Sequence, residues 1–311
     1  MKSILWSDHL SVSATKRNLI LSTFGKAGQN WLNELEATHI DAVHHWGLTF
    51  VSSLPSELFF ICRVNSDKFG PAVLKSGVPD ESFQAQISAT SEFSATGAVR
   101  VFDDLPSKGL LLMEDLNPGI PLSETPELKA REIFCTLLRP LKKQKTPTRG
   151  QCDYKIFFDE AGSVFQKHKH KGTVDSKLID SGQTILKTMK SMPAEVQQLC
   201  HGDLHQQNIL SHGNEWKIID PKGVIAPFEF ELAAFIRNGI PETATSESLS
   251  QLLNERVCHF AHSLDLSGPA ILRSGFVSTL LATLYGDEDD SPVRWRFEQV
   301  TNALFQMLSH D

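Results

Sequence analysis

Hydrophobic and polar positions change their rhythm about a third of the way along the chain. Residues 26–38 (KAGQNWLNELEAT) set Trp31 and Leu35 at helical spacing with charged positions between them, which predicts an amphipathic helix. Strand signals follow. Residues 46–51 (WGLTFV) and 58–64 (LFFICRV) are rich in aromatic and β-branched side chains, with 52–57 (SSLPSE) as the turn between them. A second turn, NSDKFG, leads into PAVLK, a short strand ending on Lys75. A polar helix is expected at about 80–95, then two more strands in GAVRVF and GLLLMEDL. The Pro- and Gly-rich run NPGIPLSETPEL reads as a linker. Beyond it the pattern turns helical, around 127–142, 153–169, 174–190 and from 228 onward. One island interrupts the helices: QLCHGDLHQQNIL, a polar loop between apolar runs, then EWKIIDPKG, a strand ending in a carboxylate. The pattern predicts an α+β chain with a β-rich lobe over 1–115 and a mostly helical lobe over 116–311.

Composition changes this picture little. At 311 residues the chain is long for one core and comfortable for two. Hydrophobic residues make up 41 % and charged ones 22 %, which excludes disordered and fibrous classes. The first twenty residues lack the apolar core and cleavage site of a signal peptide, and no run approaches a membrane span. The five cysteines are scattered, with no CxxC, and suit reduced thiols of a cytoplasmic protein. A formal net charge of −7 disfavours nucleic acid as a partner and suits a cationic ligand.

The candidate chemistry lies in the island. His201-Gly-Asp203-Leu-His205-Gln-Gln-Asn208 and the following Asp220-Pro-Lys222-Gly set three oxygen-bearing side chains on two adjacent loops. Magnesium is a hard cation that takes carboxylate and amide oxygens beside substrate phosphates, and Asn208 and Asp220 supply them. Asp203, five residues before Asn208, is then available to orient an acceptor hydroxyl. A zinc reading of His201 and His205 fails on the motif, because Gly202 stands where a glutamate would be needed. Both histidines are expected to brace the loop.

In this order and spacing the motifs resemble the aminoglycoside phosphotransferases, and the IDPKG form resembles their streptomycin 6-phosphotransferase and hydroxyurea phosphotransferase branch. PAVLK resembles the third-strand lysine motif and LLLMEDLNPG the hinge, while FELAAFIRNG, ERVCHFAHSLDL and the Glu288-Asp289 pair resemble the helices beyond. The resemblance runs from about residue 46 to 300. It implies a protein-kinase-like two-lobe fold, with a β-rich N-terminal nucleotide-binding lobe carrying one main helix and a helical C-terminal catalytic and substrate lobe. The implied reaction is transfer of the γ-phosphate of ATP, with Mg2+, to a hydroxyl of an aminoglycoside or of hydroxyurea. It implies Asp203 as base and Asn208 and Asp220 as metal ligands. Lys75 would meet the α- and β-phosphates, Glu114 and Leu116 the adenine, and Met113 would line the pocket. The first turn, SSLPSE, has no glycine, leaving Ser52 and Ser53 to donate to phosphate. Counting back from Gly97 puts Gln86 where the branch has a glutamate that holds the lysine, with Glu81 and Glu92 as partners if that register slips. Glu231 stands where the branch has aspartate. Glu229 and the run Asp287-Glu288-Asp289 are candidates for a cationic acceptor, the run otherwise being a solvated loop.

The short interval after Asp220 leaves no room for the activation segment of a protein kinase. A kinase of another small metabolic alcohol and a catalytically weak ATP-binding module are the remaining alternatives, the latter motivated by Gln86.

Overall fold

The computed structural model describes residues 12–142, 155–288 and 294–309, and the chain divides into two compact units, Met1–Asn117 and Pro118–Asp311.

In the first unit, helix α1 (Ala14–Trp46) starts where the Ser13 side chain accepts from the Lys16 N–H and ends at Gly47. It is longer than the predicted 26–38 and breaks at Gly25, whose φ of 53° lies in the left-handed region. Strands β1 (Leu48–Leu54), β2 (Phe60–Ser66) and β3 (Gly70–Ser76) follow. Helix α2 (Glu81–Phe93), capped by Asp80, precedes β4 (Val101–Leu105) and β5 (Leu110–Glu114). The strands form one antiparallel sheet in the order β1-β2-β3-β5-β4, so Lys75 sits on its central strand. Trp31, Leu35, Ala42 and Trp46 repeat along one face of α1 and bury against Phe60, Cys62, Val64, Leu74 and Leu112 of the sheet.

The second unit opens with β6 (Pro118–Pro121) and α3 (Glu127–Leu141). After the undescribed stretch come β7 (Lys155–Ile156), α4 (Phe157–His168), α5 (Ser176–Lys190) and β8 (Gln197–Cys200). Then follow β9 (Ile209–His212), β10 (Glu215–Ile218), β11 (Val224–Pro227) and helices α6 (Ala233–Arg237), α7 (Ser246–Leu264), α8 (Gly268–Glu288) and α9 (Arg294–Ser309). Two small sheets, β10-β9-β6 and β7-β11-β8, hold the polar island between them. Phe134, Phe235 and Phe260 pack together at the meeting of α3, α6 and α7, with ring centres 4.4 to 5.4 Å apart. Arg256 is fully buried beside them. It pairs with both carboxylate oxygens of Glu127 at 2.8 and 2.9 Å and donates to the carbonyls of Phe235, Ile236 and Asn238, satisfying the end of α6. No helix among the described residues is long and apolar enough to cross a membrane.

Two expectations need correcting here. The linker over 117–128 is in part a strand: Pro118 and Pro121 align with His212 and Leu210, and the Ile120 N–H donates to Ser211 Oγ at 2.9 Å. Proline is tolerated because β6 is an edge strand. The first turn is also shorter than read. A bulge after Phe50 resets the register, so Ser52 and Ser53 stand inside β1 opposite Arg63 and Cys62.

Candidate active site

The polar island is built on a turn that only glycine fits well. Gly202 has a φ of 84°, and a Cβ there would lie 2.9 Å from Val224 of β11. On either side of it the chain is tied down. The buried His201 ring accepts the Asp203 N–H on Nδ1 at 3.2 Å and donates from Nε2 to the Ile219 carbonyl at 2.8 Å. Both ring nitrogens are thereby used, and the histidine braces one loop against the other. Burial pushes its imidazole down to about 4 against the pull of the Ile219 bond, so it is neutral near pH 7. The His201 carbonyl accepts from the Lys222 N–H at 2.8 Å, and the His201 N–H donates to Glu231 Oε1 at 2.7 Å. Burial raises Glu231 to about 7, while the backbone N–H groups of His201 and Gly202 pull the other way.

Asp203 stands at the centre of this framework with two cations on one carboxylate. Arg237, at the end of α6, donates to Oδ1 at 2.7 Å, and Lys222 Nζ lies 3.1 Å from Oδ2. Burial would raise this carboxyl, yet Lys222 and Arg237 outweigh it and hold the group well below the usual carboxylate range. Asn208 closes a 3-10 turn over Gln206–Asn208, whose start is capped by His205 Nδ1 accepting from the Gln207 N–H. The Asn208 amide donates to the Asp203 carbonyl at 2.9 Å, and the Asn208 carbonyl accepts from the Ile219 N–H at 3.0 Å. That leaves the Asn208 Oδ1 as the side-chain atom suited to a cation. Asp220, next along, has a φ of 57°, the left-handed region that side chains occupy rarely and mostly at functional turns. The structure therefore joins Asp203, Asn208 and Asp220 through one bonded frame. One amide oxygen and one carboxylate fit a magnesium ion that completes its shell with phosphate and water oxygens.

In the first unit Lys75 is buried on β3, its ammonium 4.0 Å from the centre of the Phe59 ring and 5.9 Å from that of Phe83. Gln86 does not hold it: Gln86 Oε1 is buried and accepts no hydrogen bond. Met113 and Leu116 are buried near the end of β5. Glu114 exchanges bonds with Arg100 through its N–H at 2.9 Å and its carboxylate at 2.6 Å. Asp115 pairs with Arg63 of β2 at 3.0 Å, tying the segment to the sheet. Ser52 and Ser53 lie in β1, as described above.

Glu229 lines a cavity of about 270 Å3 with Met189, Met192, Val196 and Arg273, whose walls include none of Asp203, Asn208 and Asp220. Asp287 and Glu288 fall in the last turn of α8, while Asp289 lies outside the described residues. Sequence reasoning missed Arg237 and Lys222 as the partners of Asp203. A signal existed for Arg237, the one charged residue in the apolar run AAFIR.

The model of the family described as "Aminoglycoside/hydroxyurea antibiotic resistance kinase" matches residues 55–289. The chain is 26 % identical over 217 residues to the streptomycin 6-kinase of Streptomyces glaucescens, covering 67 % of this chain and 69 % of that protein. It is 26 % identical over 226 residues to the hydroxyurea phosphotransferase of Kitasatospora aureofaciens, covering 69 % of this chain and 64 % of that one. The matched part thus spans about two thirds of each relative's own length. Among solved structures, the aminoglycoside phosphotransferase APH(4)-Ia in ternary complex with ADP and hygromycin B superposes with a TM-score of 0.57 at 16 % identity, over 85 % of this chain and 97 % of that one. That likeness is one of fold, and the fold is protein-kinase-like.

Proposed function

This chain belongs to the aminoglycoside/hydroxyurea antibiotic resistance kinase family, a kinase-like phosphotransferase by that membership, and we propose that it moves the γ-phosphoryl group of ATP to a hydroxyl of a streptomycin-type aminoglycoside or of hydroxyurea. The observation that carries this reading is the bonded frame joining Asp203, Asn208 and Asp220. In the reaction the acceptor oxygen forms a bond to the γ-phosphorus. The bond from that phosphorus to the bridging oxygen breaks, and its electron pair leaves with ADP. The hydroxyl proton passes to the Asp203 carboxylate. Two cations hold that carboxylate charged, so it is a weak proton acceptor while the hydroxyl is intact. Its main service is to aim the hydroxyl, taking the proton late, as suits a loose phosphoryl-transfer transition state. Magnesium bound by Asn208 and Asp220 would supply charge neutralisation on the phosphates. Lys75, fixed on the central strand of its sheet, would bind the α- and β-phosphates, with Ser52 and Ser53 as further donors. The carbonyl of Glu114 and the N–H of Leu116 would take adenine, with Met113 against the ring. The net charge of −7 supports a cationic acceptor, with Asp287, Glu288 and Asp289 ahead of Glu229 as its partners, since Glu229 faces a cavity of its own.

The test is acceptor-dependent ATP consumption by the purified protein. The panel holds streptomycin, other aminoglycosides, hydroxyurea and common metabolic alcohols. Turnover with an aminoglycoside or hydroxyurea is expected. Turnover with metabolic alcohols alone would replace the substrate class, and none with any acceptor would overturn the reading.

A further inference from the structure

Asp203 carries one more cation than its charge requires. Arg237 and Lys222 both reach it, so the three side chains together bear a net positive charge. The two cations are held in different ways. The Arg237 side chain is 10 % exposed and anchored twice, to Asp203 Oδ1 at 2.7 Å and to Ser278 Oγ at 2.8 Å. The Lys222 side chain is 60 % exposed, and its Nζ lies 3.1 Å from Asp203 Oδ2. Its backbone is fixed by the bond to the His201 carbonyl, so only the flexible stem is free to move.

The acceptor hydroxyl needs a carboxylate oxygen, and Oδ1 is taken by the anchored arginine. Oδ2 is the oxygen whose partner can leave, since Lys222 covers it from the exposed side. Lys222 is the exposed partner and Arg237 the buried one, so the ammonium is the group that swings aside when a hydroxyl binds Oδ2. The displaced ammonium stays within reach of the hydroxyl, to which the phosphoryl group is about to bond. That group spreads negative charge over its three equatorial oxygens in the transition state, and a lysine ammonium is a compact point charge suited to them.

We propose that Lys222 is a catalytic residue that rests on Asp203 Oδ2 and shifts onto the transferred phosphoryl group when the acceptor binds. This rests on the kinase reading above, and it adds a role that the frame of Asp203, Asn208 and Asp220 does not contain.

Lys222→Met and Lys222→Arg test it with two readouts on the full chain. In steady-state transfer, Lys222→Met should lower kcat by about 10- to 100-fold. The acceptor KM should stay equal or fall, since a competitor for Oδ2 is gone, and Lys222→Arg should recover part of the loss. In calorimetry with magnesium, affinities for ADP and for a non-hydrolysable ATP analogue are compared without acceptor and with acceptor at saturation. The methionine variant should match wild type for both nucleotides without acceptor, where the lysine rests on Asp203, and lose part of the analogue affinity only with acceptor bound. Transfer by Lys222→Met within about twofold of wild type, or a loss appearing wholly as a raised acceptor KM, would overturn the proposal. A wild-type protein that transfers to no acceptor fails the kinase reading itself. The proposal falls with it in that case, whereas a wild type that transfers while Lys222→Met keeps both its rate and its acceptor-bound analogue affinity overturns the proposal alone.

Discussion

At the scale of single residues the proposed reaction depends on oxygen atoms held in fixed places. Asp220→Ala removes one of the two oxygen ligands proposed for magnesium. It should abolish the magnesium dependence of nucleotide binding, measured by calorimetry with and without the metal. Equally tight and equally metal-dependent binding would put the metal elsewhere. Glu231 offers a test by pH. Its folded value of about 7 exceeds the ordinary 4.5, so the native state holds the proton more tightly than the unfolded chain. Its stabilising share is therefore complete below about 4.5 and is lost as pH rises through 7. His201 has the opposite sign: depressed to about 4, its share is complete above 6.5 and is lost as pH falls through 4. Comparing wild type with Glu231→Gln cancels the histidine, which both share. From about pH 5 to about pH 8 the wild type should lose on the order of 2 kcal/mol relative to the variant in denaturant unfolding. A constant difference would contradict the buried, proton-holding state of Glu231. The loop frame that carries Asp203, Asn208 and Asp220 was legible as a polar island between apolar runs. Lys222 and Arg237 were not, because a lysine in a polar loop and an arginine in a helix name no partner until folding brings one within 3 Å or so.

At the scale of elements, periodicity served best where one face is buried over several turns. The helices at 127–142 and 174–190 emerge as α3 and α5 within two residues at each end. The differences sit where the step per residue changes: the bulge in β1 and the break of α1 at Gly25. Neither alters hydrophobic content, so neither leaves a mark in the pattern. The surroundings of Gln86 in α2 reverse a prediction. Counted as the partner of Lys75, Gln86 replaced by glutamate should improve turnover. With Gln86 Oε1 buried and unbonded, the same change sets a carboxylate in an unpartnered site. Gln86→Glu should lower stability by about 1–3 kcal/mol and leave turnover no higher, read by thermal unfolding and steady-state kinetics. Glu92→Gln serves as the contrast, and a faster Gln86→Glu enzyme would restore the original register.

At the scale of the whole molecule, the division into a sheet-bearing and a helical part was legible from the change of rhythm alone, whereas substrate class was not. Acceptor choice depends on side chains spread over several helices, which carry no motif, and net charge is the one global quantity that bears on it. If a charge of −7 draws in a cationic acceptor, its KM should rise with salt while that for hydroxyurea, which is neutral, stays level. Equal salt response for both would remove the electrostatic argument. The most direct test of the central claim follows labelled γ-phosphoryl from ATP to the acceptor in Asp203→Asn. Turnover should fall by ~10²–10⁴-fold while nucleotide affinity stays near wild type. A variant that binds nucleotide normally and transfers within about threefold of the wild-type rate would contradict it.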